Sequence, residues 1–263
     1  MRISVVTPSF NQADFIERTI RSVLAQRGDF ELEYLVVDGG STDGTLDVLR
    51  RYGGQLRWTS EPDRGQSDAI NKGLRRATGE VLAWLNSDDT YEPGALATAA
   101  ELLRPGGPRW CFGDCKVIDE HDREIRRSVT RWKAHQARRY SYRRFLGAGN
   151  FISQPAVFFR RELLEEVGGL EDSYHLAMDY DLWLRFGRVA APSYVPRTLA
   201  AFRWHGASKS GGGYTRMAWE AFRAASRHAR GLERLALLQH LGHVAALSAV
   251  YRTWDVWSSV RRG

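Results

Sequence analysis

Hydrophobic and polar positions in the N-terminal part of the chain alternate between two periods. Short apolar runs end in small or polar residues and predict buried strands: ISVVTPSF, LEYLVVDGG, LRWTSEP and EVLAWLNSDD. Between them, residues 14–26 place Phe15, Ile20 and Val23 at helical spacing, and a second helix over residues 67–77 stops near Gly79. This alternation predicts an α/β fold with a mostly parallel sheet covered by helices.

The pattern changes near residue 110. WCFGDCKVID and QPAVFFRR predict further strands, MDYDLWLRFG a helix, and SYVPRTLAAFRWH an extended segment. Residues 214–260 have a helical pattern throughout. We therefore expect one α/β domain over residues 1–213, with halves at 1–109 and 110–213, followed by a helical extension over residues 214–263.

Composition narrows the class of protein. The 263 residues are 43% hydrophobic and 26% charged, which is enough apolar material for a core. We expect neither a signal peptide nor a transmembrane helix, since Met1 leads into the first strand and no apolar run is long enough. Cys111 and Cys115 fit no metal spacing and indicate unpaired thiols in a reducing compartment, hence the cytoplasm. The net charge of +7 favours anionic partners.

The polar strand ends carry the candidate chemistry. The segments that end strands are residues 9–11, 38–40 and 86–89. Ligands of open α/β sheets bind outside the carboxyl ends of the strands, so these segments are expected to line one crevice. Asp88 and Asp89 repel each other and resist burial, which indicates a nearby cation. A plain turn before Glu92 is the structural alternative.

Five segments, in order, resemble the signatures of family 2 inverting glycosyltransferases with the GT-A fold. They cover residues 2–210: SVVTPSFNQADFIERTIRSVLAQ, LVVDGGSTDGT, EPDRGQSDAINKGLRRATGEVLAWLNSDD, ISQPAVFFRRELLEEVGGL and AMDYDLWLRF. The resemblance implies a hexosyltransferase-type reaction, in which a sugar moves from a nucleotide-sugar to an acceptor hydroxyl with inversion. It also implies that residues 1–109 bind the donor and residues 110–213 face the acceptor.

In this family the segment at residues 86–89 corresponds to the metal motif called DXD. The resemblance implies a divalent cation, Mn²⁺ or Mg²⁺, that neutralises the leaving nucleoside diphosphate. We expect Asp89 to be the direct ligand and Asp88 to contact the ribose or the water shell of the metal. Asn86 departs from the usual Asp. His205 matches a place where some relatives complete the metal shell, with a packing histidine as the alternative.

The resemblance also assigns the nucleotide-sugar-binding residues. Asp38 would accept a hydrogen bond from the base, which suits uracil and favours a UDP-sugar, whereas an Asx-turn before Gly39 is the structural alternative. Phe10 is either part of the loop around the base or a core aromatic. Arg64 either approaches the diphosphate or is a solvated loop residue. The remaining members of this set are Thr7, Pro8, Asp63, Asp68 and Asp88.

A single-displacement reaction needs a carboxylate to take the acceptor proton. The resemblance aligns Asp179 with the Asp of the family's Glu-Asp motif, and Met178 replaces the Glu. Asp181 lies about 200° around the helix from Asp179, so both cannot face one site. We expect Asp179 to be the base and Asp181 to stabilise the helix; a helix cap is the alternative for Asp179.

Two regions indicate the acceptor side and the location. Residues 123–144 are rich in Lys, Arg and aromatic side chains, which favours a lipid-linked acceptor or an anionic membrane over nucleic acid, with a solvated basic face as the alternative. Residues 232–263 fit an interfacial helix, a packed helix or a dimer contact. We expect polysaccharide or lipid-linked glycan assembly, with peripheral contact at the inner face of the plasma membrane.

Other interpretations are weaker. A catalytically silent GT-A protein that binds nucleotide or glycan is the main alternative, although Asp88, Asp89 and Asp179 are all present. A nucleotidyltransferase needs a Gly-rich basic loop after the first strand, and a dinucleotide-dependent oxidoreductase needs G-x-G-x-x-G there. PSFNQADF, the segment at the end of the first strand here, matches neither of these loops. The glycine-rich loop at residues 206–213, with Lys209, is predicted to close over the donor.

Overall fold

The computed structural model describes residues 1–206 and 214–245. Its strands are β1 Arg2–Ser9, β2 Glu31–Asp38, β3 Arg57–Ser60, β4 Val81–Trp84, β5 Thr90–Tyr91, β6 Trp110–Ile118, β7 Glu124–Ile125, β8 Val157–Arg160 and β9 Ser193–Arg203. Within the described residues they form one sheet in the order β3-β2-β1-β4-β8-β6-β9-β5, and β7 pairs with β6. The segments expected to be strands from their apolar runs are therefore strands.

Helices cover both faces of this sheet. They are α1 Ile16–Leu24, α2 Thr45–Arg51, α3 Gln66–Arg76, α4 Ala95–Leu102, α5 Arg127–Ala137, α6 Tyr142–Ala148, α7 Arg161–Val167, α8 Met178–Val189 and α9 Tyr214–His228. A further helical stretch covers residues 234–245, so the helical pattern predicted from residue 214 is interrupted near residue 230. The loop at 207–213 and the tail at 246–263 lie outside the described residues.

The sheet is mixed. β1 pairs in parallel with β2 and β4, and β2 pairs in parallel with β3, as the strand-helix alternation predicts. β8 runs antiparallel between β4 and β6, and β5 runs antiparallel to β9. The predicted α/β fold, a sheet flanked by helices with a helical C-terminal extension, is confirmed.

Two hydrophobic clusters hold the layers together. Successive side chains of a strand point to opposite faces, so Val5 packs with α1, α2 and α4 while Val6 packs with α3 and α8. On the second face, Trp183 of α8 stacks between Trp84 and Trp110, with ring centroids 5.2 and 5.9 Å away. Ala224 of α9 is fully buried in the same cluster, which places α9 against α8. The division at residue 213 stays a prediction.

The topology brings three polar loops to one edge of the sheet. β1, β2 and β4 run parallel, so their carboxyl ends lie together. The Gly39 N–H donates to the Ser9 carbonyl at 2.8 Å, which joins the loops after β2 and β1. The Thr19 hydroxyl contacts the Ser87 and Asp89 carbonyls at 2.8 and 2.7 Å, which joins α1 to the loop after β4. This crevice is where the predicted site residues collect.

Candidate active site

Asp38 ends β2, and its carboxylate is fully buried beneath the loop that follows. It accepts hydrogen bonds from the backbone N–H groups of Gly40 and Ser41, at 3.0 and 2.9 Å. The hydroxyls of Ser41 and Ser60 donate to it as well. The turn that was the structural alternative is therefore present, and Asp38 fixes the shape of this loop. Its contact with a nucleotide base stays a prediction.

Phe10 follows β1 directly and is 59% exposed, so it is not a core aromatic. Its ring lies beside Gly39, where a Cβ atom would come 3.4 Å from the ring and 2.5 Å from a carboxylate oxygen of Asp63. Only glycine at this position allows Asp63 to approach so closely. The exposed ring of Phe10 and the carboxylate of Asp63 therefore border the same small loop, next to buried Asp38.

Thr7 and Pro8 are the residues of β1 that lead toward Phe10. Both are buried near the end of β1, and Thr7 Oγ1 lies 3.0 Å from the Tyr34 hydroxyl. Their side chains therefore fix the strand end that carries Phe10 into the crevice.

Arg64 and Asp68 stand at the beginning of α3. The Asp68 carboxylate accepts the Arg64 backbone N–H at 3.1 Å, and this bond holds the pKa of Asp68 below its usual value. The Arg64 guanidinium is 77% exposed and pairs with Asp68 and Asp172, each at 3.2 Å. Asp68 therefore holds the turn that precedes α3, whereas Arg64 is an exposed cation at the rim of the crevice. Contact of Arg64 with a diphosphate stays a prediction.

The two carboxylates after β4 have different surroundings. The Asp89 carboxylate is fully buried and accepts the Arg203 backbone N–H at 2.8 Å and the Asn86 side-chain amide at 3.3 Å. Burial, with the Asp88 charge beside it, holds the pKa of Asp89 well above its ordinary value. The side-chain oxygen of Asn86 in turn accepts a hydrogen bond from the side-chain amide of Gln66 at 2.8 Å. Asp89 is thus tied into the fold by both of its oxygens.

Asp88 faces the crevice, with 17% of its side chain exposed. One of its oxygens lies 3.1 Å from Nε2 of His205, which is buried and packs against Phe15 with ring centroids 4.5 Å apart and the ring planes tilted by 32°. Among the described residues, no three His, Cys, Asp or Glu side chains form a complete metal cage. The Asp88 carboxylate is nevertheless the ligand type that Mn²⁺ prefers, and the imidazole beside it is a common metal ligand.

Arg203, at the end of β9, holds this acidic loop in place. Its guanidinium is fully buried and donates to the backbone carbonyls of Asp88 and Asp119, at 2.9 and 2.8 Å. It also pairs with the Asp122 carboxylate at 2.6 Å. One side chain therefore joins the loop after β4 to the β6–β7 turn.

Asp179 lies in the first turn of α8 and is partly exposed. One carboxylate oxygen accepts the Asn150 amide at 2.9 Å, and the other accepts the Tyr180 N–H at 2.7 Å. Removal from bulk water raises the pKa of Asp179, and these hydrogen bonds and the Lys133 charge oppose that rise. A carboxylate with a raised pKa is suited to accept a proton.

The first turn of α3 connects the helix of Asp179 to the acidic loop. Gln66 donates to Asn86, and the Ser67 hydroxyl lies 2.9 Å from the sulfur of Met178, the residue before Asp179. The apolar Met178 therefore makes a packing contact where the family usually has Glu. The structure thus brings the helix of Asp179 and the loop of Asp88 to one side of the sheet.

The comparison with protein families agrees with this geometry. The sequence model of the family described as Glycosyl transferase family 2 matches residues 4–168. The chain belongs to this family. An uncharacterized glycosyltransferase of Mycobacterium tuberculosis strain H37Rv is 34% identical over 205 residues, which cover 76% of this chain and 74% of that protein. A Nostoc protein, also named an uncharacterized glycosyltransferase, is 29% identical over 221 residues, covering 79% and 66% of the two chains. The protein is thus a glycosyltransferase.

Solved structures show the same fold. The S. aureus TarS fragment 1–349, in complex with UDP-GlcNAc, superposes with a TM-score of 0.70 at 18% identity, over 92% of this chain and 72% of that one. The mannosyltransferase PcManGT from Pyrobaculum calidifontis, in complex with GDP-Man and Mn²⁺, gives a TM-score of 0.66 at 21% identity, over 98% and 81%. At these identities the likeness establishes the shared glycosyltransferase fold.

Asp181 does not share the site of Asp179. Its buried carboxylate accepts His228 Nε2 at 2.8 Å and Arg185 Nε at 2.9 Å, and these two contacts hold the pKa of Asp181 below its usual value despite burial. Arg185 continues to the carbonyls after α7. Asp181 therefore joins α8 to α9 in this glycosyltransferase, which agrees with the stabilising role expected for it.

Three residues of this region were not among the predicted site residues: Lys133, Asn150 and Arg203. The sequence does contain an indication of Arg203, because a lone arginine follows the apolar run LAAF in a predicted extended segment. Asn150 follows two glycines before a strand, which indicates a loop but not a partner. Lys133 is indistinguishable in sequence from the other basic residues around it.

Proposed function

We propose that this glycosyltransferase transfers a sugar from a nucleoside diphosphate-sugar to an acceptor hydroxyl with inversion, and that Asp179 is the base. The observation that carries the proposal is the partly exposed Asp179 carboxylate, held by Asn150 at the start of a helix that the first turn of α3 links to the acidic loop. The acceptor oxygen bonds to the anomeric carbon while the bond to the diphosphate breaks. The hydroxyl proton passes to Asp179, whose pKa is raised toward that of a useful base.

The donor end of the site requires a divalent cation in this proposal. Asp88 and His205 would hold it, because they lie 3.1 Å apart at the open side of the loop. Asp89, which the sequence favoured as the direct ligand, serves in this conformation as the buried support that sets the loop through Arg203 and Asn86. When bound, Mn²⁺ or Mg²⁺ neutralises charge on the departing diphosphate.

The nucleotide would bind over the loops after β1 and β2. Exposed Phe10 offers an aromatic face, and Gly39 lets the Asp63 carboxylate come close beside it. Asp38 supports a uridine donor through the resemblance, and TarS with UDP-GlcNAc shares the fold. Arg64, exposed at the rim, is the cation proposed to meet the diphosphate.

The acceptor is proposed to be a glycan or lipid-linked glycan at an anionic membrane surface, in polysaccharide or lipid-linked glycan assembly. Support comes from residues 232–245, where one helix side packs on the domain through Ala236, His240 and Val244. The other side of the helix exposes Leu235, Leu238 and Leu241 at 54, 70 and 41% of their area, and Leu232, in the short 3₁₀ turn before the helix, is 79% exposed. The structure contains no helix, in the part that it describes, with the length and apolarity to cross a bilayer. Such a helix suits peripheral contact.

Flotation of the full chain with vesicles tests this contact. Binding to phosphatidylglycerol vesicles, weaker binding to phosphatidylcholine, and loss in a Leu235→Ser, Leu238→Ser double variant are expected. A chain that stays with the protein fraction in all vesicles contradicts the membrane proposal. Sedimentation that shows a dimer, lost in the same double variant, would assign the leucines to a second copy instead.

A panel of nucleotide-sugars tests the reaction. Thermal stabilisation and slow hydrolysis in the presence of Mn²⁺ are expected for one donor, with UDP-sugars the first choice. Asp179→Asn should retain donor-dependent stabilisation and lose turnover. Indifference to every donor, with metal present, would contradict the enzyme proposal. Binding of a donor without any turnover by the wild type, even with acceptors supplied, would favour the catalytically silent alternative.

A further inference from the structure

Lys133 differs from the other basic residues of α5. Arg127 and Arg131 are exposed, as expected for a solvated basic face. Lys133 is partly buried, and its ammonium donates to the Ser153 hydroxyl at 3.0 Å. α5 packs against β6, the strand that carries the buried thiol of Cys115. This lysine is therefore directed into the protein, away from the face that the sequence suggested for it.

The loop that Lys133 contacts also holds Asp179. Ser153 and Asn150 belong to the same short loop, residues 149–153, between α6 and the strand β8. Asn150 donates to the Asp179 carboxylate at 2.9 Å. At its other end the loop is fixed to β4, because the Gln154 amide donates to the Trp84 carbonyl at 2.7 Å. A single anchored loop thus connects the lysine to the proposed base.

We propose that Lys133 is a positioning residue for Asp179: its ammonium fixes the 149–153 loop through Ser153, and its positive charge acts on the carboxylate from beyond ion-pair distance. The inference rests on the proposed role of Asp179. Lys133 is not assigned a proton-transfer step. Lys133 acts on the reaction by fixing the loop and by the electrostatic field of its charge.

The electrostatic surroundings agree with this role. Removal from water raises the pKa of Asp179 and lowers the pKa of Lys133, and each charge favours the ionised form of the other. Asn150 and the Tyr180 N–H, which donate hydrogen bonds to the carboxylate, carry no charge. Burial raises the pKa of the Cys115 thiol to about 12, so this neighbour stays neutral near pH 7. Loss of the Lys133 charge is expected to raise the pKa of Asp179 further.

Carbon-13 NMR of labelled aspartate carboxyls measures this directly in the full chain without donor or metal. Asp179→Asn identifies the signal. Lys133→Gln keeps a polar end for Ser153 but removes the charge, and the titration midpoint of Asp179 should rise by about one pH unit. Lys133→Arg should stay close to the wild type. Arg131→Gln removes an exposed charge two residues away on the same helix and is the matched control, with no change expected.

Identical Asp179 titrations in the wild type and Lys133→Gln would overturn the inference. Lys133→Met repeats the measurement with an uncharged chain that lacks the hydrogen bond, should the glutamine variant fold poorly. An equal shift in Arg131→Gln would also overturn it, because the effect would then be that of net charge alone.

The rate profile separates this inference from the proposed function. With the donor that the wild type uses, the acid limb of kcat should move to higher pH in Lys133→Gln by the shift seen in NMR, while the donor KM stays the same. Full turnover by Asp179→Asn would refute the base and leave the NMR result standing. An inactive Asp179→Asn together with an unmoved titration in Lys133→Gln would refute only the role of Lys133.

Discussion

Replacement of Arg203 by methionine is expected to destabilise the protein and loosen the acidic loop. Methionine keeps much of the apolar stem but removes the guanidinium, which is fully buried and bonded to the carbonyls of Asp88 and Asp119 and to the Asp122 carboxylate. The backbone N–H of residue 203, which bonds to Asp89, is unaffected by the change. The perturbation therefore tests the side chain alone.

The magnitude follows from the three lost contacts. A hydrogen bond to a charged group contributes about 1.5–3 kcal/mol. The Asp122 side chain is 54% exposed and can be hydrated again, so its ion pair is discounted. The two carbonyl contacts then give a loss of about 3–6 kcal/mol in the free energy of unfolding, similar to the cost of removing one partner from a buried pair. In a protein of this size that lowers Tm by roughly 10 °C.

Urea and thermal unfolding, followed by circular dichroism, measure this change. Arg50→Met is the control, because Arg50 forms a surface pair with Asp47 and both side chains are mostly exposed, at 62 and 78%. Its effect should stay within about 0.5 kcal/mol. Mn²⁺-dependent stabilisation by the donor should also weaken in Arg203→Met. Equal unfolding midpoints for the two variants would refute the argument that Arg203 anchors the loop.

Four further predictions follow from the site. Because the pKa of Asp179 is raised, turnover should be complete at pH values above that pKa and fall as the pH decreases through it. The acid limb of the pH–rate profile should therefore lie above the ordinary aspartate pKa, and a limb at or below about 4 would contradict the role of Asp179 as the base. His205→Ala should weaken Mn²⁺ binding, measured by calorimetry with the donor present, by about tenfold or more, since even outer-shell partners cause losses of this size; unchanged affinity would remove it as a ligand. Asp181→Asn should lower the free energy of unfolding by about 3 kcal/mol, measured in urea, without moving the acid limb; a shifted limb would place it in the site. Cys111 and Cys115 should not react with a thiol reagent at pH 8 in the folded protein, because burial raises the pKa of each to about 12; rapid labelling without unfolding would contradict their burial.

The strands and the crevice followed from local patterns. ISVVTPSF, LEYLVVDGG and EVLAWLNSDD each carry a strand and its polar end in one continuous segment, and parallel strands must place those ends together. The family signatures are also short and continuous, so the glycosyltransferase assignment needed no tertiary contact. The sequence by itself therefore determined the fold class, the family and the edge of the sheet where the site lies.

The tertiary structure decided which contacts each polar side chain makes at that edge of the sheet. Asp88 and Asp89 are neighbours in sequence, yet Asp89 turns inward because the N–H of Arg203, more than a hundred residues later, bonds to it. Lys133 resembles the exposed basic residues around it, and only the packing of α5 on β6 and the path of the 149–153 loop turn it toward Ser153, in the loop that holds Asp179. Such choices depend on contacts between distant segments, which hydrophobic periodicity does not encode. Each carboxylate or cation takes the direction in which its burial is compensated by a partner from elsewhere in the chain.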